Sequence, residues 1–121
     1  MSHTTILLAE DNTSIRELVT ESLQDEGFEV IAVDCGNRAA DVLASEQTVD
    51  LLFSDIYMPG QLNGVQLASK GRALRPALKV LLTSGNPTRD FTPPEDLPFL
   101  PKPFGMGEML RMVHQVLQHA R

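Results

Sequence analysis

An α/β fold in which helices sandwich a parallel sheet follows from three features of this sequence. Short apolar runs, with Leu51-Leu52-Phe53-Ser54-Asp55 the strongest, show no alternation of polar and apolar residues, as expected of strands covered on both faces. Amphipathic stretches separate most of these runs, so strands and helices alternate, and parallel strands must then be joined by right-handed crossovers. A length of 121 residues is enough for one domain that buries its own core.

The first strand is Ile6-Leu7-Leu8-Ala9, which runs into Glu10 and Asp11. Asn12, Thr13 and Ser14 offer capping oxygens, and Glu17 stands three residues after Ser14 in capping-box spacing. The helix that follows carries Ile15, Leu18, Val19, Ser22 and Leu23 as its apolar stripe and stops at Gly27. A second strand covers 28–33, and Gly36-Asn37 opens a short helix with Ala39, Ala40 and Leu43 inward. The third strand ends on Asp55, ahead of a sharp Pro59-Gly60 turn. After Gly64 a helix carrying Val65, Leu67, Ala68 and Leu74 runs to Pro76, with Gly71 weakening its middle by roughly 1 kcal/mol relative to Ala. The fourth strand, 80–83, closes on Thr83 and Ser84, and Phe99-Leu100 is a short fifth strand leading into Pro101-Lys102-Pro103. A final helix covers 106–119, with Leu110, Val113 and Leu117 on one face and Met109 and Val116 beside it.

Between the fourth and fifth strands the pattern breaks. Asn86-Pro87 is a good helix start, but Pro93 and Pro94 lack amide donors and Pro93 biases Thr92 away from helical angles. Residues 88–96 are therefore expected to form a reduced or irregular helix and to be mobile.

Ten basic and sixteen acidic residues give a net charge of −6, which argues against a nucleic-acid or anionic-membrane surface. The lone Cys35 can form neither an internal disulfide nor a zinc knuckle. The apolar stretch at 6–9 is too short for a signal-peptide core or a membrane span, so a soluble, cytoplasmic protein is expected.

In an open parallel sheet the ligand crevice lies outside the carboxyl ends of the strands. Four such ends here present Glu10 and Asp11, Asp55, Thr83 and Lys102. Asp55 could simply cap its turn, but the company it keeps suggests more. Each like-charged pair at ~4 Å costs about 4 kcal/mol at an effective dielectric of ~20, so three carboxylates must hold a proton or recruit a cation. Oxygen donors with room for water select Mg²⁺ over zinc. A divalent ion, a hydroxyl and a lysine around a carboxylate are what is needed to place a phosphoryl group on it, with Asp55 as nucleophile.

With Glu10-Asp11, Asp55 before Met58-Pro59, Thr83 and Lys102-Pro103-Phe104 in this order, the chain resembles the receiver domain of bacterial two-component response regulators over essentially its whole length. The resemblance implies a single receiver domain over 1–121, with a flavodoxin-like, five-stranded sheet of order 2-1-3-4-5. It implies Asp55 as phosphoacceptor and Mg²⁺ held by Asp11, Asp55 and the backbone carbonyl of Tyr57, with Glu10 helping through water. Thr83 and Lys102 would be phosphoryl ligands, Thr83 and Phe99 the switch pair, and the Lys102–Pro103 bond cis. The phosphodonor would be a histidine kinase or phosphotransfer protein, and the domain would catalyse only its own phosphorylation and dephosphorylation.

The loop Gly60-Gln61-Leu62-Asn63 is one residue longer than usual for the family, has Asn63 where Asp is frequent, and looks like receivers of hybrid kinases. Phe99 can change rotamer but carries no hydroxyl. A haloacid-dehalogenase-type phosphatase would need a second acid two residues after Asp55, where Tyr57 stands, and no dinucleotide or P-loop glycine pattern follows the first strand. His114 and His119 do not share a helix face. The remaining rival is a pseudo-receiver scaffold that takes no phosphate. With no output domain after Arg121, the expected effect is through contact with another protein rather than DNA.

Overall fold

The computed structural model describes residues 4–58, 60, 62–85 and 97–118. In chain order the elements are β1 (Thr5–Ala9), α1 (Thr13–Asp25), β2 (Glu29–Val33), α2 (Gly36–Ala44), β3 (Leu51–Asp55), α3 (Gly64–Leu74), β4 (Lys79–Ser84), β5 (Phe99–Pro101) and α4 (Met106–Gln118). All strand pairs are parallel, in the order β2-β1-β3-β4-β5, which is the doubly wound sheet expected from the sequence. The expected irregular helix at 88–96 lies outside the described residues.

The unbroken apolar runs arise because alternate residues of each central strand feed different cores. Leu7 and Leu52 face α2 and α3 with Ala39, Leu43 and Leu67. Ile6, Leu51 and Phe53 face α1 and α4 with Val19, Leu23 and Val113. Burial of each such Leu, Ile or Phe side chain is worth about 1.5–3 kcal/mol, and it is this two-sided burial that holds the strand ends in a row.

Several local expectations change. α1 is capped by Asn12, whose side chain accepts from the Ile15 amide at 2.9 Å, rather than by a Ser14–Glu17 box. A reciprocal capping box instead opens α3, where Asn63 and Gln66 each bond the other's backbone amide. Leu18 is 51% exposed, because Val19 and Leu23, four apart, take the buried stripe. β2 begins at Glu29 and lies at the sheet edge, only partly covered. In α4 the buried stripe is Met109, Val113 and Val116, with Leu110 and Leu117 at its border. Leu74 is 49% exposed at the end of α3.

Gly71 is more than a weak point in α3. A Cβ there would stand 2.9 Å from Leu78 Cδ2 and 3.0 Å from Leu43 Cδ1, so the glycine allows α3 to close on α2 and β4. Gly27, with φ of +101°, ends α1 as expected, and its amide bonds the Gln24 carbonyl at 3.0 Å. No helix among the described residues is long and apolar enough to cross a membrane.

Candidate functional site

Parallel register places the candidate residues side by side at the carboxyl edge of the sheet. Ala9, the last residue of β1, pairs with Ser54, and Asp55 pairs with Thr83 on β4. β5 joins β4 through Thr83–Leu100 and Ser84–Pro101, and the Lys102 amide extends that ladder to the Ser84 carbonyl at 3.0 Å. Glu10 and Lys102 thus stand at the first position after a strand, Asp11 at the second, Asp55 at the last position of β3 and Thr83 one before the end of β4. The Lys102–Pro103 peptide bond is cis.

Lys102 Nζ donates to Asp55 Oδ2 and to Glu10 Oε1, each at 2.9 Å. Glu10 is 2% exposed, and its second oxygen, Oε2, accepts from the Asn12 amide at 3.1 Å. Burial pushes the Glu10 carboxyl above its ordinary value of 4.5; bonds from Lys102 and the Asn12 amide oppose this, and the Asp55 charge adds to it. For Lys102, burial acts to lower the ammonium's pKa. The bonds and charges of Glu10 and Asp55 outweigh burial and hold it above 10.5, so the ammonium stays charged.

Asp11 is exposed, and one oxygen from each of Glu10, Asp11 and Asp55 lies within 4.8 Å of the others. Three carboxylates gather around one ammonium, and the donor set is all oxygen, with Asp11 exposed. That chemistry fits a hard divalent cation such as Mg²⁺. A second observation points to a missing partner. Thr83 is 3% exposed and its Oγ1 is buried without a hydrogen-bond partner, on the strand next to Asp55. A buried, unpaired hydroxyl is costly unless a ligand uses it.

The other predicted residues lie around this centre. Tyr57 is 46% exposed, on the loop just after β3. Phe99 is partly buried, pairs with Leu82 next to Thr83, and packs against the core on the α2–α3 face. Phe104 stacks at a tilt on Phe53 with 6.3 Å between ring centres.

Two features were not anticipated from the sequence. Gly64 lies so close to the end of β3 that a Cβ would collide with the Asp55 carbonyl oxygen and stand 2.8 Å from Ile56 Cα; its amide bonds the Ile56 carbonyl at 2.8 Å. The signal for it was the glycine at the first position of α3. Arg16 reaches back from α1 to the Glu10 carbonyl at 2.8 Å, and its signal was a cation near a helix start.

A family model described as the response regulator receiver domain matches residues 6–114. The response regulator receiver protein CpdR of Brucella abortus (strain 2308) is 32% identical over 118 residues, covering 93% of this chain and 95% of that protein. The transcriptional regulatory protein CpxR of Escherichia coli (strain K12) is 30% identical over 118 residues; the match covers 95% of this chain but 50% of CpxR, so the chain spans about half the length of that relative. Among solved structures, a response regulator receiver protein from Sinorhizobium medicae WSM419 superposes with a TM-score of 0.88 at 30% identity, over 96% of this chain and 95% of that one. The receiver domain of the hybrid histidine kinase CckA superposes with a TM-score of 0.81 at 32% identity, over 94% of this chain and 99% of that one.

Proposed function

The chain belongs to the response regulator receiver domain family, and from that premise we propose that it is a single receiver domain whose Asp55 accepts a phosphoryl group from a histidine kinase or a phosphotransfer protein. The observation that carries this reading is the unpartnered hydroxyl of Thr83 beside a carboxylate already paired with an ammonium. An acyl phosphate on Asp55 supplies the acceptor that this hydroxyl lacks.

In the transfer, a carboxylate oxygen of Asp55 forms the new O–P bond while the donor's N–P bond breaks. The electron pair stays on the departing imidazole nitrogen, which takes up a proton. Asp11, Asp55 and the Tyr57 backbone carbonyl, with Glu10 helping through water, would hold Mg²⁺, which would supply neutralising charge to the phosphoryl oxygens. Lys102 pairs with a phosphoryl oxygen from the side it now shares with Asp55 and Glu10, and Thr83 Oγ1 donates to another. Thr83 moves toward the new charge, and Phe99, on the neighbouring strand, repacks into the space it leaves. The domain acts in the cytoplasm, catalyses only its own phosphorylation and dephosphorylation, and signals through contact with a downstream protein.

A second reading is favoured by the 32% identity to the CckA receiver and by the Gly60–Asn63 loop: a receiver of a hybrid kinase that passes the phosphoryl group on to a phosphotransfer protein. Both readings share one test. Beryllofluoride with Mg²⁺, standing in for the phosphoryl group, should move the amide resonances of Asp55, Thr83 and Lys102, and should move none of them in Asp55→Asn. A wild-type spectrum that stays unchanged would leave the pseudo-receiver scaffold as the better account.

A further inference from the structure

We propose that Arg16 is a positioning residue for the acidic pair, holding the β1–α1 connection in the shape that lets Glu10 and Asp11 take up a divalent cation. This rests on the reading of the acidic cluster as a Mg²⁺ site. Arg16 is the fourth residue of α1 and half-buried. Its Nη1 donates to the Glu10 carbonyl at 2.8 Å and reaches the Asp11 carbonyl at 3.5 Å, while Nη2 reaches Thr13 Oγ1 at 3.5 Å. The first bond is the strong one; the other two stand at the limit of hydrogen bonding and show that the planar fork spans the whole connection.

The Glu10 carbonyl needs this partner. β1 ends at Ala9, and among the described residues the Glu10 backbone amide adds one ladder-like bond, to the Val33 carbonyl at 3.1 Å. Beyond that point the guanidinium supplies the donor that the sheet does not. Glu10 is then tied at three further places, its carbonyl to Arg16 and its two carboxylate oxygens to Lys102 and the Asn12 amide. Asp11 follows directly, and its carbonyl is the one Arg16 Nη1 reaches at 3.5 Å.

Local helix chemistry supports a role outside the helix. The amino end of a helix carries partial positive charge and favours acids, yet α1 has none in its first turn and places a cation there. A local rule broken in this way marks a residue that serves something beyond its own element.

Two effects of Arg16 on Mg²⁺ oppose each other, so the sign of the change decides between them. As a nearby positive charge it would weaken cation binding, and its removal would tighten it. As a positioning group it strengthens binding, because partners that orient metal ligands are typically worth 10–100-fold in affinity.

The test is Mg²⁺ titration of the full chain, followed by amide shifts, for wild type, Arg16→Ala and Arg16→Lys, with denaturant midpoints measured alongside. Arg16→Ala should bind Mg²⁺ about tenfold more weakly. Arg16→Lys, with the charge but no fork, should fall between Arg16→Ala and wild type. Should Arg16→Ala not fold, Arg16→Lys must by itself bind more weakly than wild type. Tighter or unchanged binding in Arg16→Ala, or wild-type affinity in Arg16→Lys, overturns the inference while leaving the metal site standing. A wild-type chain that gives no Mg²⁺-dependent shifts removes the metal reading and this inference together.

Discussion

Replacing Thr83 by Val separates the stability of the resting domain from its capacity to respond. The substitution swaps a hydroxyl for a methyl of nearly the same size in a buried strand position, and Val keeps the β-branched shape that β4 favours. In the resting protein Thr83 Oγ1 is buried without a partner. Leaving such a group unsatisfied costs roughly 1–3 kcal/mol, so Thr83→Val should be the more stable protein by about 1–2 kcal/mol. For a domain of this size that is a rise in Tm of about 3–8 °C. With Mg²⁺ and beryllofluoride present that advantage should shrink to near zero. A ligand at about 100 times its Kd stabilises wild type by about 2.7 kcal/mol, whereas the variant lacks a hydrogen bond to a charged acceptor worth roughly 1.5–3 kcal/mol and should bind at least tenfold more weakly. Thermal melts of both proteins with and without the ligand measure all four states. A variant less stable than wild type in the absence of ligand would refute the claim that this hydroxyl is held unpaired for a ligand.

Three further outcomes follow from the same geometry. Gly64→Ala must displace the β3–α3 junction, since its Cβ would meet backbone rather than a yielding side chain, and should cost at least about 2 kcal/mol in denaturant unfolding; a neutral result would show that the junction is looser than its contacts imply. Because Glu10 holds its proton to a pH above its ordinary 4.5, protonation competes with Mg²⁺ earlier than a surface carboxylate would allow. Mg²⁺ affinity should therefore drop as pH falls from neutral toward about 5, and drop more steeply in wild type than in Glu10→Gln; equal slopes would contradict it. In the metal-free protein the same raised value means that Glu10 favours the folded state as pH falls and loses that contribution as pH rises through its folded pKa. Tyr57 and Gly85, two residues past Asp55 and Thr83, offer no carboxylate or amide side chain to orient a hydrolytic water. Tyr57→Asn should accordingly speed dephosphorylation, and an unchanged or slower rate would refute that.

The sheet and its site were legible because both depend on short-range signals. Two-sided burial writes itself into β3 as an unbroken apolar run, and a carboxylate or hydroxyl that closes such a run is placed at the sheet edge by the fold alone. What the sequence hid was tertiary. α4 is apolar over more than one stripe, and only packing against α1 and β4 selects Met109, Val113 and Val116 over Leu110 and Leu117. Gly71 looks like a helix defect until Leu43 and Leu78 are seen against it. Asn12, Thr13 and Ser14 could each cap α1 on sequence grounds, and the choice of Asn12 follows from its extended backbone, with φ of −78° and ψ of 118°. Arg16 could have been noticed as a cation in the wrong place, but its target is a backbone carbonyl, which no residue pattern reveals.

The central claim is that Asp55 is the phosphoryl acceptor. Its most direct measurement is intact and peptide mass spectrometry after incubation with acetyl phosphate and Mg²⁺, with borohydride reduction to mark the acyl phosphate before digestion. The account predicts one phosphoryl group per chain, dependent on Mg²⁺, located on Asp55 and absent from Asp55→Asn. Acyl phosphate found on Glu10 or Asp11 of the wild-type chain, or stable incorporation into Asp55→Asn, would contradict it.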